Sequence, residues 1–208
     1  MSVIKFKSPC TCVISGPSSS GKSSFLFKIL ESSNDLFHQK INKIYYFYGV
    51  WQKLFEDCKL QNIQYLSDKP TQEFIKSIAD GNHNLIVIDD LQMLALNDSF
   101  VADLFTRESH HRNLTVFLVL QNLFHQGKYG RDISLNTHYF ILFKNPRDKF
   151  QVKLLRRQLG MEKKLETAYE SATQTPFSYL LIDLSPSGDT EYMLRGNILP
   201  HEFTVVYK

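Results

Sequence analysis

The sequence is poor in the features on which secreted and membrane-spanning proteins depend. It has three cysteines among 208 residues, Cys10, Cys12 and Cys58, which form no disulfide framework and lack the spacing of a zinc site. The first nine residues are too few and too interrupted for a signal peptide, and no apolar run approaches the roughly 20 residues that span a bilayer. We therefore expect reduced thiols, a nuclear or cytoplasmic location, no secretion and no membrane partner.

A strong charge bias and interdomain linkers are also absent. The formal net charge is only +3, so a nucleic acid is permitted as a partner but is not required by bulk electrostatics. The sequence has no internal repeat, low-complexity tract or Pro/Gly-rich linker, and 208 residues suit one α/β domain. We predict a single domain over residues 1–208, in which residues 176–208 are a candidate C-terminal β extension.

Alternating strand and helix patterns predict the fold class. Long apolar runs at residues 84–90, 114–120 and 139–143 are typical of parallel strands that helices cover on both faces. The remaining predicted strands are 11–15, 43–48, 63–66 and 179–183, and the predicted helices are 24–30, 51–58, 70–78, 100–106, 149–159 and 162–171. Pro70 is expected in the first turn of its helix. The chain is therefore predicted to be α/β, with a mainly parallel sheet, helices on both faces and ligands at the carboxyl ends of the strands.

Residues 16–23 read Gly-Pro-Ser-Ser-Ser-Gly-Lys-Ser and match the whole phosphate-binding pattern G-x-x-x-x-G-K-[ST]. A predicted strand precedes them and a predicted helix follows, which is the context that separates a P-loop from an ordinary Gly/Ser turn. The backbone N–H groups of such a loop face the phosphates, Lys22 reaches the β- and γ-phosphates, and the Ser23 hydroxyl ligates Mg²⁺. The sequence therefore predicts a site for ATP and Mg²⁺. Its nucleotide-binding residues are predicted to be Gly16, Pro17, Ser18, Ser19, Ser20, Gly21, Lys22, Ser23 and Ser24.

Asp89 and Asp90 directly follow a buried strand pattern, where a second acidic motif must lie if the P-loop is to hydrolyse a nucleotide. In P-loop ATPases the first carboxylate orients the Mg²⁺ shell and the second can polarise the attacking water. We assign the metal role to Asp89, together with Ser23, and the role of catalytic base to Asp90. Two acids after an apolar strand also occur as a plain solvated strand end, and the sequence leaves that alternative open.

Gln121 ends another buried strand pattern, and we assign it a catalytic role. Its carboxamide can donate to a γ-phosphate oxygen and accept from a water, so it can report whether the nucleotide is a tri- or a diphosphate. A polar residue that merely caps the strand end is the alternative. Asn122 is a weaker candidate for the same task.

Arg107 and Arg112 flank His110 and His111 just before the Gln121 strand. An arginine that reaches the γ-phosphate of a neighbouring subunit stabilises transition-state charge, and such fingers contribute about 10³ to 10⁵ in rate. We predict Arg112 as the first candidate for this catalytic role and Arg107 as the second. An ordinary surface ion pair is the alternative for each, and the two histidines favour a zinc site only weakly.

Two basic segments stand out against the modest overall charge. Residues 144–164 carry eight lysines and arginines: Lys144, Arg147, Lys149, Lys153, Arg156, Arg157, Lys163 and Lys164. Residues 128–131 add a basic loop around Tyr129. Both segments suit a phosphate backbone, with Tyr129 free to stack or wedge, but a charged helix face is also common as a solvated surface.

Taken together, these motifs resemble the FtsK-HerA type of viral DNA-packaging ATPase. The likeness is greatest to those of adintoviruses and Polinton (Maverick) elements, with poxvirus-type packaging ATPases more distant. It rests on the P-loop, on Leu-Ile-Val-Ile-Asp-Asp at 85–90, on Gln-Asn-Leu-Phe at 121–124 and on Lys-Asn-Pro-Arg-Asp at 144–148. Further likeness runs over residues 110–113, 133–139 and 194–200, so it covers nearly the whole chain. The segments at 121–124 and 144–148 are far more particular to this group than the P-loop.

The resemblance implies a RecA-like sheet in which the Gln121 strand lies between the P-loop strand and the Asp89 strand. It further implies an ATPase that works as a homo-oligomeric ring, a pentamer or a hexamer, with ATP shared between subunits. Such a ring drives double-stranded DNA into a capsid, which implies capsid vertex proteins as partners and a virion-associated location in the host nucleus or cytoplasm. One departure concerns Asp90, because many relatives in the wider superfamily carry glutamate there.

Three other functions remain open at this stage. A nucleotide kinase also begins with a P-loop, although no compact arginine-rich lid is evident in the sequence. An ATP-dependent transposition or replication loader, or a helicase-like ATPase, would bind ATP and DNA without packaging anything. A non-enzymatic scaffold with a relic site is disfavoured because Lys22, Ser23, Asp89 and Gln121 occur together.

Overall fold

The structure, a computed structural model, describes residues 4–124 and 126–208. Residues 1–3 of the N-terminal stretch considered as a signal peptide lie outside this described part. The strands are β1 (Thr11–Ser15), β2 (Ile44–Tyr48), β3 (Ile63–Leu66), β4 (Asn84–Asp89), β5 (Leu114–Leu120), β6 (Tyr139–Phe143), β7 (Tyr179–Asp183), β8 (Leu194–Gly196) and β9 (Val205–Val206). The α-helices are α1 (Lys22–Glu31), α2 (Ser33–Leu36), α3 (Lys53–Glu56), α4 (Gln72–Ser77), α5 (Gln92–Ala95), α6 (Ser99–Asp103), α7 (Ser109–His111), α8 (Gly130–Leu135), α9 (Phe150–Gln158) and α10 (Lys164–Ala172).

Within the described residues these strands form one nine-stranded sheet in the order β3-β2-β4-β5-β1-β6-β7-β8-β9. The strands from β1 to β6 pair in parallel, and β7, β8 and β9 pair antiparallel. β5 lies between β1 and β4, with Leu120 opposite Ser15 and Leu118 opposite Ile88. The predicted α/β class and the mainly parallel sheet are confirmed, and the carboxyl ends of β1, β4, β5 and β6 meet at one edge.

Two helical layers cover the sheet because its central strands are apolar on both faces. α1, α2 and α3 pack on one face, where Ile14, Val87 and Val119 are buried. The helices from α4 onward supply most of the cover on the other face, against Val13 and Leu118. This alternation of inward faces fixes which strand-end side chains point towards α1, the helix that follows the P-loop.

Several helices begin or end at other residues than the sequence predicted. The prediction that Pro70 lies in a helical first turn is wrong, because α4 begins at Gln72 and the Thr71 hydroxyl caps it by accepting the Phe74 N–H. The helix predicted for 51–58 is limited to α3, four residues long. The segment predicted for 100–106 is α6 continued by a π-helical turn, Leu104–Glu108. For α4 the side-chain cap, rather than apolar periodicity, marks the first helical residue.

Residues from 176 onward supply the antiparallel end of the sheet. A buried ion pair joins β7 to β8, with Arg195 Nη2 lying 3.0 Å from Asp183 Oδ2. Both side chains are nearly inaccessible to solvent, and Asp183 also accepts from the Ser185 hydroxyl at 2.6 Å. Among the described residues no helix is both long and apolar enough to cross a membrane.

Candidate active site

The loop at residues 16–21 joins β1 to α1 in a conformation that depends on its two glycines. Gly21 has a φ of 94° at the start of α1, a left-handed geometry that side chains disfavour. A Cβ on Gly16 would lie 2.7 Å from the Cβ of Phe143, so β6 leaves no room for a side chain there. The Gly16 N–H donates to the Leu120 carbonyl at 3.2 Å, which ties the loop to the end of β5. The sequence-predicted P-loop therefore has the geometry of a phosphate cradle at the amino end of a helix.

Lys22 is buried in this loop with its ammonium group turned back over it. Its Nζ donates to the Pro17 carbonyl at 2.8 Å. Burial lowers the pKa of Lys22, and the nearby carboxylates of Asp89 and Asp90 oppose that shift. The position suits a cation that meets an anionic ligand resting on the loop.

Asp89 is a buried carboxylate held by two hydroxyl groups. The Tyr46 hydroxyl donates to Asp89 Oδ2 at 2.6 Å, and the Ser23 hydroxyl donates to the same oxygen at 3.3 Å. Burial raises the pKa of Asp89, while these two hydrogen bonds lower it. Tyr46 is fully buried on β2, on the face that packs against α1. The strand and the helix thus place Ser23 and Asp89 side by side.

These two oxygen donors fit a small hard cation such as Mg²⁺. Mg²⁺ takes oxygen ligands and is commonly held through one or two carboxylates plus substrate phosphates. Among the residues that the structure describes, no group of three or more His, Cys, Asp and Glu side chains is placed to hold a metal. A cation here would accordingly depend on few protein ligands and on the phosphates of its nucleotide.

Asp90 is exposed and has a left-handed backbone, with a φ of 57°. A Cβ on Gly49 would lie only 2.4 Å from the Asp90 carbonyl oxygen, so only glycine fits at this position of the loop after β2. Asp90 lines the cavity above the P-loop. Asp89 and Asp90 therefore separate into a buried carboxylate and an exposed one.

Gln121 is exposed at the end of β5, and a side chain from α5 fixes its backbone. Gln92 Oε1 accepts the N–H of Gln121 at 2.8 Å and that of Asn122 at 3.4 Å. Two residues further along the chain from Gln121, the Leu123 N–H donates to Gln151 Oε1 on α9 at 2.9 Å. Two carboxamides from different helices therefore anchor the segment that carries Gln121.

Several of the predicted site residues line one cavity of about 240 Å³ above the P-loop. Lys22, Ser23, Asp89, Asp90 and Gln121 all line it. The strand order brings them together, because the ends of β1, β4 and β5 are adjacent. The cavity thus combines a phosphate loop, a cation, two carboxylates and a carboxamide, which is a set able to bind and hydrolyse a phosphoanhydride.

Arg107 and Arg112 lie away from this cavity, at the amino end of β5. Since β5 has seven residues, its two ends are roughly 20 Å apart. Arg107 pairs with Asp103 at 2.8 Å, and Arg112 pairs with Glu108. The structure therefore does not bring either arginine to the P-loop of its own chain.

The basic segment at 144–164 begins at the same sheet edge as the P-loop. Lys144, Lys149 and Lys153 line an open cavity of about 540 Å³ between the end of β6, α9 and α10. Acidic side chains share that cavity, and Lys149 Nζ lies 3.9 Å from Glu170 Oε1. In the second basic loop, the Lys128 ammonium lies over the Tyr129 ring, 5.1 Å from its centroid.

No family model and no curated protein matches the chain. Solved structures do: the genome packaging NTPase B204 of Sulfolobus turreted icosahedral virus 2 with sulfate shares 12% identity over 96% of each chain, at a TM-score of 0.60. The same protein with ATP-gammaS matches at 12% identity and a TM-score of 0.57, over 96% of this chain and 97% of that one. The chain has a P-loop NTPase fold. Another such fold, the cytoplasmic domain of the type VII secretion ATPase EccC of Thermomonospora curvata, matches at 14% identity and a TM-score of 0.54, over 95% of this chain but 25% of that one.

Sequence reasoning missed two polar residues of this P-loop NTPase fold. Tyr46 looked like one of several aromatics in a strand, and nothing in the pattern at 43–48 distinguishes the hydroxyl that reaches Asp89. Gln92 lies two residues after Asp90, and that proximity was the one signal available for it. Its bond to Gln121 depends on β4 and β5 being neighbours, which local sequence does not reveal.

Proposed function

We propose that the protein is an ATP-hydrolysing motor of the FtsK-HerA type that moves double-stranded DNA, most specifically into a viral or transposon capsid. The observation that carries the proposal is the convergence of Lys22, Ser23, Asp89, Asp90 and Gln121 on one cavity. A turn that only binds phosphate would not need Asp89, Asp90 or Gln121. The likeness to a genome packaging NTPase over 96% of the chain supports the packaging role.

The phosphate chain would lie along the N–H groups of residues 16–24, with the Lys22 ammonium against its β- and γ-phosphates. Mg²⁺ bound there would neutralise charge that develops on the phosphates. Ser23 and Asp89 would hold that cation, and Tyr46 would keep Asp89 oriented and its charged form stabilised. Binding and charge neutralisation thus belong to β1, α1 and β4.

Asp90 and Gln121 would act at the far end of the triphosphate. The exposed Asp90 carboxylate is the group able to accept a proton from the attacking water. Gln121 would donate to a γ-phosphate oxygen and accept from the same water, so its contacts would change when the phosphate leaves. Gln92 would hold the backbone of Gln121 throughout.

Arg112 and Arg107 would serve a neighbouring subunit in a homo-oligomeric ring, a pentamer or a hexamer. Neither reaches its own P-loop, and both lie at the opposite edge of the sheet. The exposed lysines near β6 and the loop around Tyr129 are the candidates for backbone contacts with duplex DNA. Capsid vertex proteins and a virion-associated site in the host nucleus or cytoplasm belong to the same proposal.

The test is the ATPase rate of the purified chain with Mg²⁺, with and without duplex DNA, together with its oligomeric state in a non-hydrolysable ATP analogue. We expect hydrolysis that duplex DNA stimulates and a ring in the presence of the analogue. Lys22→Ala should reduce turnover at saturating ATP by about 10²-fold or more, because the transition state loses its fixed cation. Lys28→Ala, which changes an exposed lysine of α1, is the matched control.

Substantial activity in the Lys22→Ala protein would contradict the assignment of the P-loop. Phosphate transfer to a nucleoside monophosphate without any effect of DNA would point to a kinase instead. ATP hydrolysis with DNA binding but without directional movement on duplex DNA would leave a loader as the better description.

A further inference from the structure

A second cavity, of about 430 Å³, opens beside the P-loop, and neither Asp90 nor Gln121 lines it. It shares Ser19, Lys22, Ser23 and Gln52 with the smaller cavity that holds the catalytic groups. The larger cavity adds Ser24, Lys53, Leu54 and Phe177 and contains neither acidic residue. The two cavities therefore adjoin at the phosphate loop, and only the smaller one is lined by Asp89, Asp90 and Gln121.

Phe177 is the unusual member of the larger cavity. Its side chain is 69% exposed, and its backbone is left-handed, with a φ of 64°. The ring lies against the P-loop, because a Cβ added to Gly21 would be 3.0 Å from Phe177 Cδ1. A large apolar side chain in a strained conformation is held here over a phosphate site, where strain commonly serves a function.

A hydrogen bond and a ring contact fix the position of the turn that carries Phe177. The Ser178 hydroxyl donates to the Thr175 carbonyl at 2.6 Å, which closes the turn between α10 and β7. The next residue, Tyr179, is buried and packs on Phe25 of α1 with ring centroids 4.1 Å apart. Phe177 is thus attached to the same helix whose amino end forms the phosphate site.

We propose that Phe177 is the stacking platform for the base of the nucleotide. The γ-phosphate end of a bound triphosphate is marked by Asp90 and Gln121, so the nucleoside must leave the loop on the other side. That side is the cavity with Phe177. The exposed Phe177 ring can stack on a base of any identity, as aromatic side chains do in proteins that bind single-stranded nucleic acids. The proposal rests on the triphosphate site proposed above and adds the residue that would recognise its nucleoside.

Stacking predicts a purine preference with little distinction between adenine and guanine. A phenylalanine ring makes a larger stacking contact with a purine than with a pyrimidine, and it forms no hydrogen bonds with the edges of the base. Because stacking alone does not distinguish the edges of the two purines, we expect ATP and GTP to bind alike and UTP more weakly.

The experiment compares equilibrium dissociation constants, measured by calorimetry with Mg²⁺, for a non-hydrolysable ATP analogue and for inorganic tripolyphosphate. Tripolyphosphate has the phosphates but no base. We expect Phe177→Ala to weaken analogue binding by about tenfold and to leave tripolyphosphate binding unchanged, while Phe177→Tyr restores the analogue affinity. Phe203→Ala removes another exposed phenylalanine, 77% accessible and outside this cavity, and is the matched control.

Equal weakening of both ligands in Phe177→Ala would overturn the proposal, because the ring would then only support Gly21 and the loop. Unchanged analogue binding would overturn it as well. The readout is binding rather than turnover, so a chain that binds both ligands yet hydrolyses no ATP would contradict the proposed motor function while the comparison still decides the role of Phe177.

Discussion

At the residue scale, Asp89 depends on a neighbour that the sequence gives no reason to select. The Tyr46 hydroxyl lies 2.6 Å from its carboxylate and favours the ionised form. Burial acts in the opposite direction and raises the pKa of Asp89. The tyrosine thus opposes the effect of burial on the carboxylate that we propose as a Mg²⁺ ligand.

Tyr46→Phe should therefore move the acidic limb of the ATPase pH profile to higher pH. Removing the hydroxyl leaves the burial effect less opposed, so the pKa of Asp89 rises further and its metal-binding form is lost sooner as the pH falls. The measurement is kcat/KM for ATP against pH at fixed Mg²⁺, because this ratio reports the ionisation of the free enzyme. Tyr45→Phe, on the opposite face of β2, is the control and should not move the profile. Equal shifts in both variants, or none, would contradict this role of Tyr46.

Asp90 shows how backbone geometry can explain a residue choice that looks unfavourable in the sequence. A glutamate at this position would reach further towards the attacking water, and many relatives in the wider superfamily carry one. The structure gives Asp90 a φ of 57°, a region where aspartate and asparagine are enriched several-fold over other side chains. The left-handed turn beside Gly49 therefore favours the shorter acid. Sequence alone could not supply this reason, because the crossing of two loops sets the angle.

At the scale of the element, the strands were more predictable than the helices. The predicted bounds 11–15, 63–66, 114–120, 139–143 and 179–183 coincide with β1, β3, β5, β6 and β7. Long apolar runs identify buried strands because both faces are covered and few other structures bury every residue. Short helices such as α3 and α4 end where a cap or a loop contact ends them, and those contacts come from tertiary structure.

The link from α5 to the end of β5 gives a prediction about catalysis. Gln92→Ala removes the acceptor of the Gln121 N–H, so the segment should lose its fixed position and kcat should fall by about five- to tenfold. The KM for ATP should change little, because the P-loop is untouched. Steady-state kinetics at varied ATP measures both constants.

Two variants make this test specific to positioning. Gln92→Glu keeps an oxygen acceptor for the same N–H and should recover much of the lost kcat. Met93→Ala changes the next residue of α5, which is 60% exposed, and should leave the kinetics close to normal. A rise in KM with unchanged kcat, or failure of the glutamate to improve on alanine, would show that Gln92 does not act through Gln121.

At the scale of the whole molecule, strand order decided whether the predicted residues form a site. Motif spacing placed Asp90 and Gln121 at strand ends but could not say which strands are neighbours. The resemblance to packaging ATPases implied that the Gln121 strand lies between the other two, and β5 does lie between β1 and β4. Arg107 and Arg112 lie outside that site, at the other end of β5, where each pairs with an acidic side chain of its own chain.

Mixed oligomers test the arginines. Arg112→Ala subunits alone and Lys22→Ala subunits alone should both be nearly inactive, and mixing them should restore part of the ATPase activity. Restoration follows because one interface in the mixture can combine an intact P-loop with an intact arginine. The same experiment with Arg107→Ala ranks the second candidate, whose side chain is 62% exposed against 25% for Arg112. If neither arginine gives recovery, the trans-acting role is wrong for both.

The two edges of the sheet also bear on how copies of this chain could meet. β3 has four residues and β9 has two, so neither offers a long row of unpaired main-chain groups for β-augmentation by another chain. Subunits of a ring would therefore associate through side chains of helices and loops. Such an interface is free to slide and re-form during a catalytic cycle without breaking a hydrogen-bonded ladder, whereas a sheet continued from one subunit to the next would lock the ring in a single arrangement.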